Sequence, residues 1–270
     1  MLTVFYNHVL EAMDQEKMSF EDIAKKITSH GIKGLEFDYY DLVKDGRFNE
    51  ELADKVKKAG LPIIGAYVNY DWGRKFWDIS YKKIYKNLQR IGVKYSLAIP
   101  GMIPDGADKS KYKKRMAKVL NKAIAYAKKC GIQVLMEDFD NYHAPFSTSE
   151  GMLYFMKECP GLKIAFDTGN FYYSDENALD VLPKFIDETV YVHCKDRSLN
   201  EKEGETPVKT ISGVPMYSSA VGDGVIPMKE ILLKLREHGY DNVYAIEHFG
   251  SKTQLKDMIA SADYLNELLG

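Results

Sequence analysis

Short apolar runs recur along this chain, each ending in a polar loop and most separated from the next by a stretch of helical periodicity. Strands are predicted to begin near Thr3, Gly34, Leu61, Val93, Ile132, Leu162, Val190 and Asn242. Helices are predicted over 19–29, 49–59, 111–129, 149–157, 177–187, 228–238 and 252–268. Several helices open on a capping residue, as at Ser149, and several close on glycine, as at Gly31, Gly60, Gly131 and Gly239. Alternation of strand and helix at these steps implies a parallel sheet. Eight such units close most simply into a (β/α)8 TIM-type barrel spanning 1–270 as a single domain, and an open doubly wound sheet is the alternative.

Four of the runs, VLMEDFD, KIAFDTGN, VYVHCKD and VYAIEHFG, carry Glu137, Asp167, His193 and Glu247 at their ends. Side chains alternate along a strand, so Val243, Ala245 and Glu247 share one face. The small Ala245 suits a crowded barrel interior, which turns Glu247 inward. The same count groups Leu135 with Glu137, Ala165 with Asp167, and Tyr191 with His193 and Lys195. Four inward groups from strands 5 to 8 can then converge at the carboxyl mouth, where barrel chemistry collects. Buried ionisable groups are tolerated when paired or bound to metal, and three carboxylates with one imidazole suit one divalent ion, Mn2+, Zn2+, Co2+ or Mg2+.

Composition narrows the classes. With 270 residues, 45% of them hydrophobic, the chain can bury a sizeable core. A net charge of -2 provides no broad basic field, so no nucleic-acid partner is expected. No membrane span or signal peptide is read, because the N-terminus runs straight into LTVFYNHV. Cys130, Cys159 and Cys194 have no CxxC spacing, which argues against a disulfide framework or thiolate site and suits the cytoplasm. A homo-oligomer is left open.

In the order Glu137, Asp167, His193 within HCKD, the VGDG segment and Glu247, the chain resembles the xylose-isomerase-like barrels. That family includes sugar-phosphate isomerases, ketose 3-epimerases, hydroxypyruvate isomerase, inosose dehydratase and endonuclease IV. The resemblance implies Glu137 and Glu247 as both metal ligands and catalytic acid/base pair, with Asp167 and His193 as ligands. It implies a metal-dependent isomerase or epimerase of a small sugar or sugar phosphate, working by proton abstraction beside a carbonyl through an enediolate. A dehydratase of a cyclic polyol or keto acid is the alternative; an endonuclease IV-like nuclease and a non-catalytic sugar-binding barrel are more distant. Where many epimerases carry histidine three residues after the strand 6 aspartate, this chain has Asn170, which can still bond a sugar hydroxyl. The further histidines of the nuclease are missing from AYVNYD, SLAIPG and PMYSSAVGDG.

Other residues are candidates for substrate contact. Lys195 and Arg197 share the parity of His193 and could meet a carboxylate, phosphate or hydroxyl, or be solvated loop cations. Glu36, with Asp38, ends strand 2 and either lines or supports the pocket. Tyr6 and His8 on strand 1, with Tyr67, Asn69 and Trp72 after strand 3, could supply an aromatic wall and hydrogen bonds, or ordinary packing. Backbone N–H groups at Gly222 and Gly224 could face an anion or form only a turn. The stretch 199–220 is long for a connection of this kind and could act as a lid.

Overall fold

The computed structural model describes residues 1–44, 46–70, 80–99 and 101–270. Eight parallel strands form the barrel: β1 (Leu2–Phe5), β2 (Ile32–Asp38), β3 (Ile63–Asn69), β4 (Tyr95–Ile99), β5 (Gln133–Met136), β6 (Lys163–Asp167), β7 (Thr189–Ser198) and β8 (Val243–Glu247). They pair in chain order, and β8 returns to β1 through Leu2–Tyr244, Thr3–Ala245 and Val4–Ile246, which closes the sheet. This is the (β/α)8 barrel that the eight-fold pattern predicts.

Alternation along the strands sorts the side chains into two cores. Phe5, Leu97, Leu135, Ala165, Tyr191, Val243 and Ala245 pack together inside the barrel. Their neighbours in sequence, among them Val4, Met136, Phe166, Val192 and Ile246, face outward into the layer under the helices. The helices are α1 (Tyr6–Glu16), α2 (Phe20–Ser29), α3 (Glu50–Lys58), α4 (Tyr81–Arg90), α5 (Lys109–Lys129), α6 (Ser149–Glu158), α7 (Ala178–Val181), α8 (Met228–Glu237) and α9 (Gln254–Leu269). Helix α2 starts where Ser19 Oγ accepts from Asp22 N at 3.2 Å, and it turns Phe20, Ile23, Ala24 and Ile27 onto the barrel at i, i+3, i+4 and i+7.

Four expectations are corrected. Tyr6 and His8 belong to α1 and not to the first strand, because the chain turns helical immediately after Phe5 and buries Tyr6, Val9 and Ala12 along one helical face. Helix α4 lies where no helix was read, with Tyr81, Ile84, Tyr85 and Leu88 buried between lysines. The helix expected over 177–187 is one short turn, Ala178–Val181, followed by two 3-10 turns; Pro183 interrupts the hydrogen-bond ladder there. The stretch 199–220 is not an open loop. Strand β7 runs on to Ser198 and pairs antiparallel with Pro215–Ser219, which pairs with Val208–Lys209. Ile211 N donates to Tyr173 O at 3.0 Å and Ser212 Oγ to Asp175 Oδ1 at 2.9 Å, so the extension is tied to the loop after β6. Trp72 lies outside the described residues. No helix among the described residues is long and apolar enough to cross a membrane.

Candidate metal centre

Glu137, Asp167, His193 and Glu247 are brought together at the carboxyl ends of β5 to β8. All four are buried, and one potential donor atom from each lies within 4.8 Å of the other three. His193 Nδ1 stands 2.5 Å from Glu137 Oε2 and 3.6 Å from Glu247 Oε2, while Nε2 meets Glu36 Oε2 at 3.1 Å. One ring nitrogen therefore faces the cluster and the other is held from behind by a carboxylate, the arrangement that fixes a ligating imidazole. Asp167 is oriented by its own loop: Oδ1 accepts from Gly169 N and Asn170 N, both at 2.7 Å. Its Oδ2 is buried with no hydrogen-bond partner.

Charge and burial oppose each other here. Burial raises Asp167 from 3.8 to about 6, with Lys195 partly offsetting it, and burial likewise raises Glu137 against the pull of His193. Burial disfavours the His193 imidazolium, yet Glu137 and Glu36 outweigh it and push the ring well above its ordinary range. Three carboxylates and one imidazole around one point, with Asp167 Oδ2 accepting no hydrogen bond, make a donor set that fits a hard or borderline divalent cation.

Lys195, also buried, enters the same cluster. Its Nζ lies 2.5 Å from Glu247 Oε1, 3.5 Å from Asp167 Oδ2, and donates to Asn170 Oδ1 at 2.6 Å. Asn170 Nδ2 in turn donates to Asp138 O at 2.9 Å, joining the ends of β5, β6 and β7. A Cβ on Gly169 would come within 2.8 Å of Lys195 O, so the DTGN turn admits the lysine only because that position is glycine.

Glu137 and Glu247 of the cluster open onto a cavity of about 270 Å³. Glu137, Asp140, Asn170, Lys195 and Glu247 line the polar side; Phe5, Tyr67, Leu97, Ile99, Phe139 and Phe249 line the other. A larger cleft of about 560 Å³, near Lys33, Arg236 and the two chain ends, opens at the amino end of the barrel, and none of the four clustered residues reaches it.

The remaining candidates fall elsewhere. Glu36 sits beneath His193 and does not line the cavity. Tyr6 stacks on Phe37 at 4.0 Å, outside the barrel interior. His8 lies behind the cavity, with its ring 4.6 Å from that of Phe249 and its Nε2 accepting from His248 N at 2.9 Å. Asn69 is exposed beyond Tyr67 at the end of β3. Arg197 is buried, with Nη1 donating to Phe249 O at 3.0 Å.

The glycine turn has no free N–H groups for an anion. Gly222 N, Gly224 N and Ile226 N donate to the Asp196 carboxylate at 2.9, 3.0 and 3.2 Å, and Arg197 N does so at 2.8 Å. A Cβ on Gly224 would overlap that carboxylate. HCKD and VGDG are therefore two halves of one latch. The sequence reading missed this role of Asp196, as it missed Asp140 and Phe249; the Asp-before-Arg step and the GDG spacing were the available signals.

A parallel eight-stranded barrel carries, at its carboxyl mouth, a buried carboxylate–imidazole cluster that could hold a metal ion. Residues 24–268 match the model of the xylose isomerase-like TIM barrel, and the chain belongs to that family. The chain is 27% identical to an inosose dehydratase of Clostridium perfringens over 137 residues, which are 50% of this chain and 46% of that protein. It spans less than half the length of the curated relatives it matches. Among solved structures it is similar to an L-ribulose 3-epimerase, with a TM-score of 0.74 and 15% identity over 99% of this chain and 94% of that one. It is also similar to the IOLI protein with a bound zinc atom, with a TM-score of 0.71 and 16% identity over 99% and 97% of the two chains.

Proposed function

We propose that this protein is a divalent-metal-dependent enzyme that removes a proton beside the carbonyl of a small polyhydroxylated compound, as an isomerase or epimerase. The observation that carries the reading is the convergence of Glu137 and Glu247, from β5 and β8, with Asp167 and His193 around one point. Glu137, Asp167, His193 and Glu247 would hold the ion, which supplies electrophilic polarisation of the carbonyl when bound. One glutamate takes the proton from the carbon beside the carbonyl, leaving an enediolate. Return of a proton by the other glutamate to the opposite face inverts that centre, whereas return to the neighbouring carbon moves the carbonyl. The aromatic side, with Phe5, Tyr67 and Phe249, excludes water and packs against C–H faces of the substrate.

A second reading, dehydration, is favoured by Lys195. Its ammonium group lies beside Glu247, so a base and a proton donor stand together where a β-hydroxyl could depart as water. The inosose dehydratase relative agrees with that reading.

The test is exchange in D2O with the metal-loaded protein and a panel of ketoses, ketose phosphates and cyclic keto-polyols. Deuterium at the carbon beside the carbonyl is expected in product or recovered substrate. A substrate that turns over with its original hydrogen conserved would eliminate the two-glutamate mechanism; loss of water with labelling would select the dehydratase.

A further inference from the structure

We infer that Arg197 and Tyr173 form an anion subsite at the edge of the cavity, so that the ligand carries a carboxylate or phosphate in addition to its carbonyl. This rests on the cavity being the reaction site.

Arg197 is only 3% exposed. Lys195, two residues earlier on the same face of β7, is paired with Asp167 and Glu247, but Arg197 forms no ion pair among the described residues. Of the five N–H donors of a guanidinium, its side chain uses one, to Phe249 O, and Nε is sealed with no acceptor. Its Cζ lies 5.8 Å from the centre of the Tyr173 ring, and the Tyr173 hydroxyl is also buried without a partner. A cation withdrawn from water with no counter-charge is costly, and a phenol with no acceptor adds to that cost. A chain that needed only a packed strand end could place an apolar residue there.

The missing partner is an anion by the chemistry of the donors. A guanidinium presents parallel N–H pairs that match two oxygens of a carboxylate or phosphate, and a hydroxyl would occupy one donor and leave the charge uncompensated. Arg197 and Tyr173 do not line the cavity themselves; Arg197 reaches it through Phe249, whose carbonyl takes its Nη1 and whose side chain is part of the lining. Asp140 lines the same side and forms no ion pair with either cation. The glycine turn offers no competing site, because its N–H groups are taken by Asp196.

The experiment titrates chelator-treated parent protein, Arg197→Gln and Arg197→Lys with inorganic phosphate and, separately, with lactate, by calorimetry. At least one probe is expected to bind the parent roughly tenfold or more tightly than Arg197→Gln, with Arg197→Lys between them. Preference for phosphate or for lactate selects phosphate ester or carboxylate. The melting temperature of metal-free Arg197→Gln should equal or exceed that of the parent, since the change removes an unpaired buried charge. Failure of both probes to bind the parent, equal binding by parent and Arg197→Gln, or a lower melting temperature with unchanged binding would overturn the subsite. If Arg197→Gln does not fold, parent-like anion binding by folded Arg197→Lys, which keeps the charge without the fork, overturns it. Mn2+ titration of the same proteins separates the two readings: a parent that binds no cation refutes the metal site, whereas cation binding without anion discrimination refutes only the subsite.

Discussion

Glu36 contributes no ligand and does not line the cavity, yet its replacement should weaken cation binding. Its Oε2 lies 3.1 Å from His193 Nε2, while His193 Nδ1 faces Glu137 at 2.5 Å and Glu247 at 3.6 Å. With a carboxylate holding the Nε2 proton, the lone pair is left on Nδ1, toward the cluster, and the ring is both fixed and more basic. Loss of such a partner costs about 10–100-fold in metal affinity, roughly 1.4–2.7 kcal/mol. Glu36→Gln retains an oxygen that can accept from Nε2–H, so it should fall near the tenfold end. Glu36→Ala leaves that N–H without an acceptor in the closed interior and should approach the hundredfold end, with about 1–3 kcal/mol lost from the fold itself. Calorimetric titration of Mn2+ or Zn2+ at fixed pH gives the affinities, and urea unfolding of the metal-free proteins gives the stability term separately. The expected order of affinity is parent, then Gln, then Ala. Folded Gln and Ala variants that bind the cation as tightly as the parent would refute the orienting role.

Further outcomes concern the same site and its supports. Glu247→Gln should keep the fold by circular dichroism and lose most turnover, because an amide fills the space but cannot act as a base; retained turnover would reduce Glu247 to a ligand at most. Cation affinity should fall as pH drops through about 6, since Asp167 must be ionised to ligate. In the metal-free protein the same raised value has the opposite sign for stability: the folded state holds the proton more tightly, so this group's contribution is full below 3.8 and is lost as pH rises to about 6, which urea unfolding across that window would measure. Asp196→Ala should cost about 3–5 kcal/mol in urea unfolding by stranding four backbone donors, and a loss within experimental error would contradict the latch. In a gel-shift assay at physiological salt the protein should not retard duplex DNA, nor should it cut an abasic site; Zn2+-dependent cleavage abolished by His193→Ala would displace the sugar-enzyme reading.

Parity made the cluster legible in the sequence. Alternation with small Ala165 and Ala245 fixed which face of β6 and β8 turns inward, and position at a strand end supplied the depth. The β1–α1 junction carried no comparable mark. LTVFYNHV is apolar across the boundary, and α1 begins after Phe5 with no side-chain cap, so nothing separates strand from helix. Glu36 was read as lining or supporting the pocket, but contact with His193 depends on register across the barrel between residues 157 apart in sequence. Arg197 carried the parity of Lys195, yet only the folded chain distinguishes a paired lysine from an arginine with no counter-charge. HCKD and VGDG were both noticed, and their bond was invisible because it spans 26 to 30 residues.

That bond also divides the chain into parts that can change independently. Asp196 joins the two points where the antiparallel extension leaves and rejoins the barrel, so the extension is an excursion whose base is already closed. Lengthening or shortening such an excursion changes its closure entropy only slowly, by about 0.6 kcal/mol per doubling. The stretch, tied to Tyr173 and Asp175, can therefore be lengthened, shortened or rebuilt without moving Asp167, His193 or Glu247, so the chain can vary here while the cluster stays fixed.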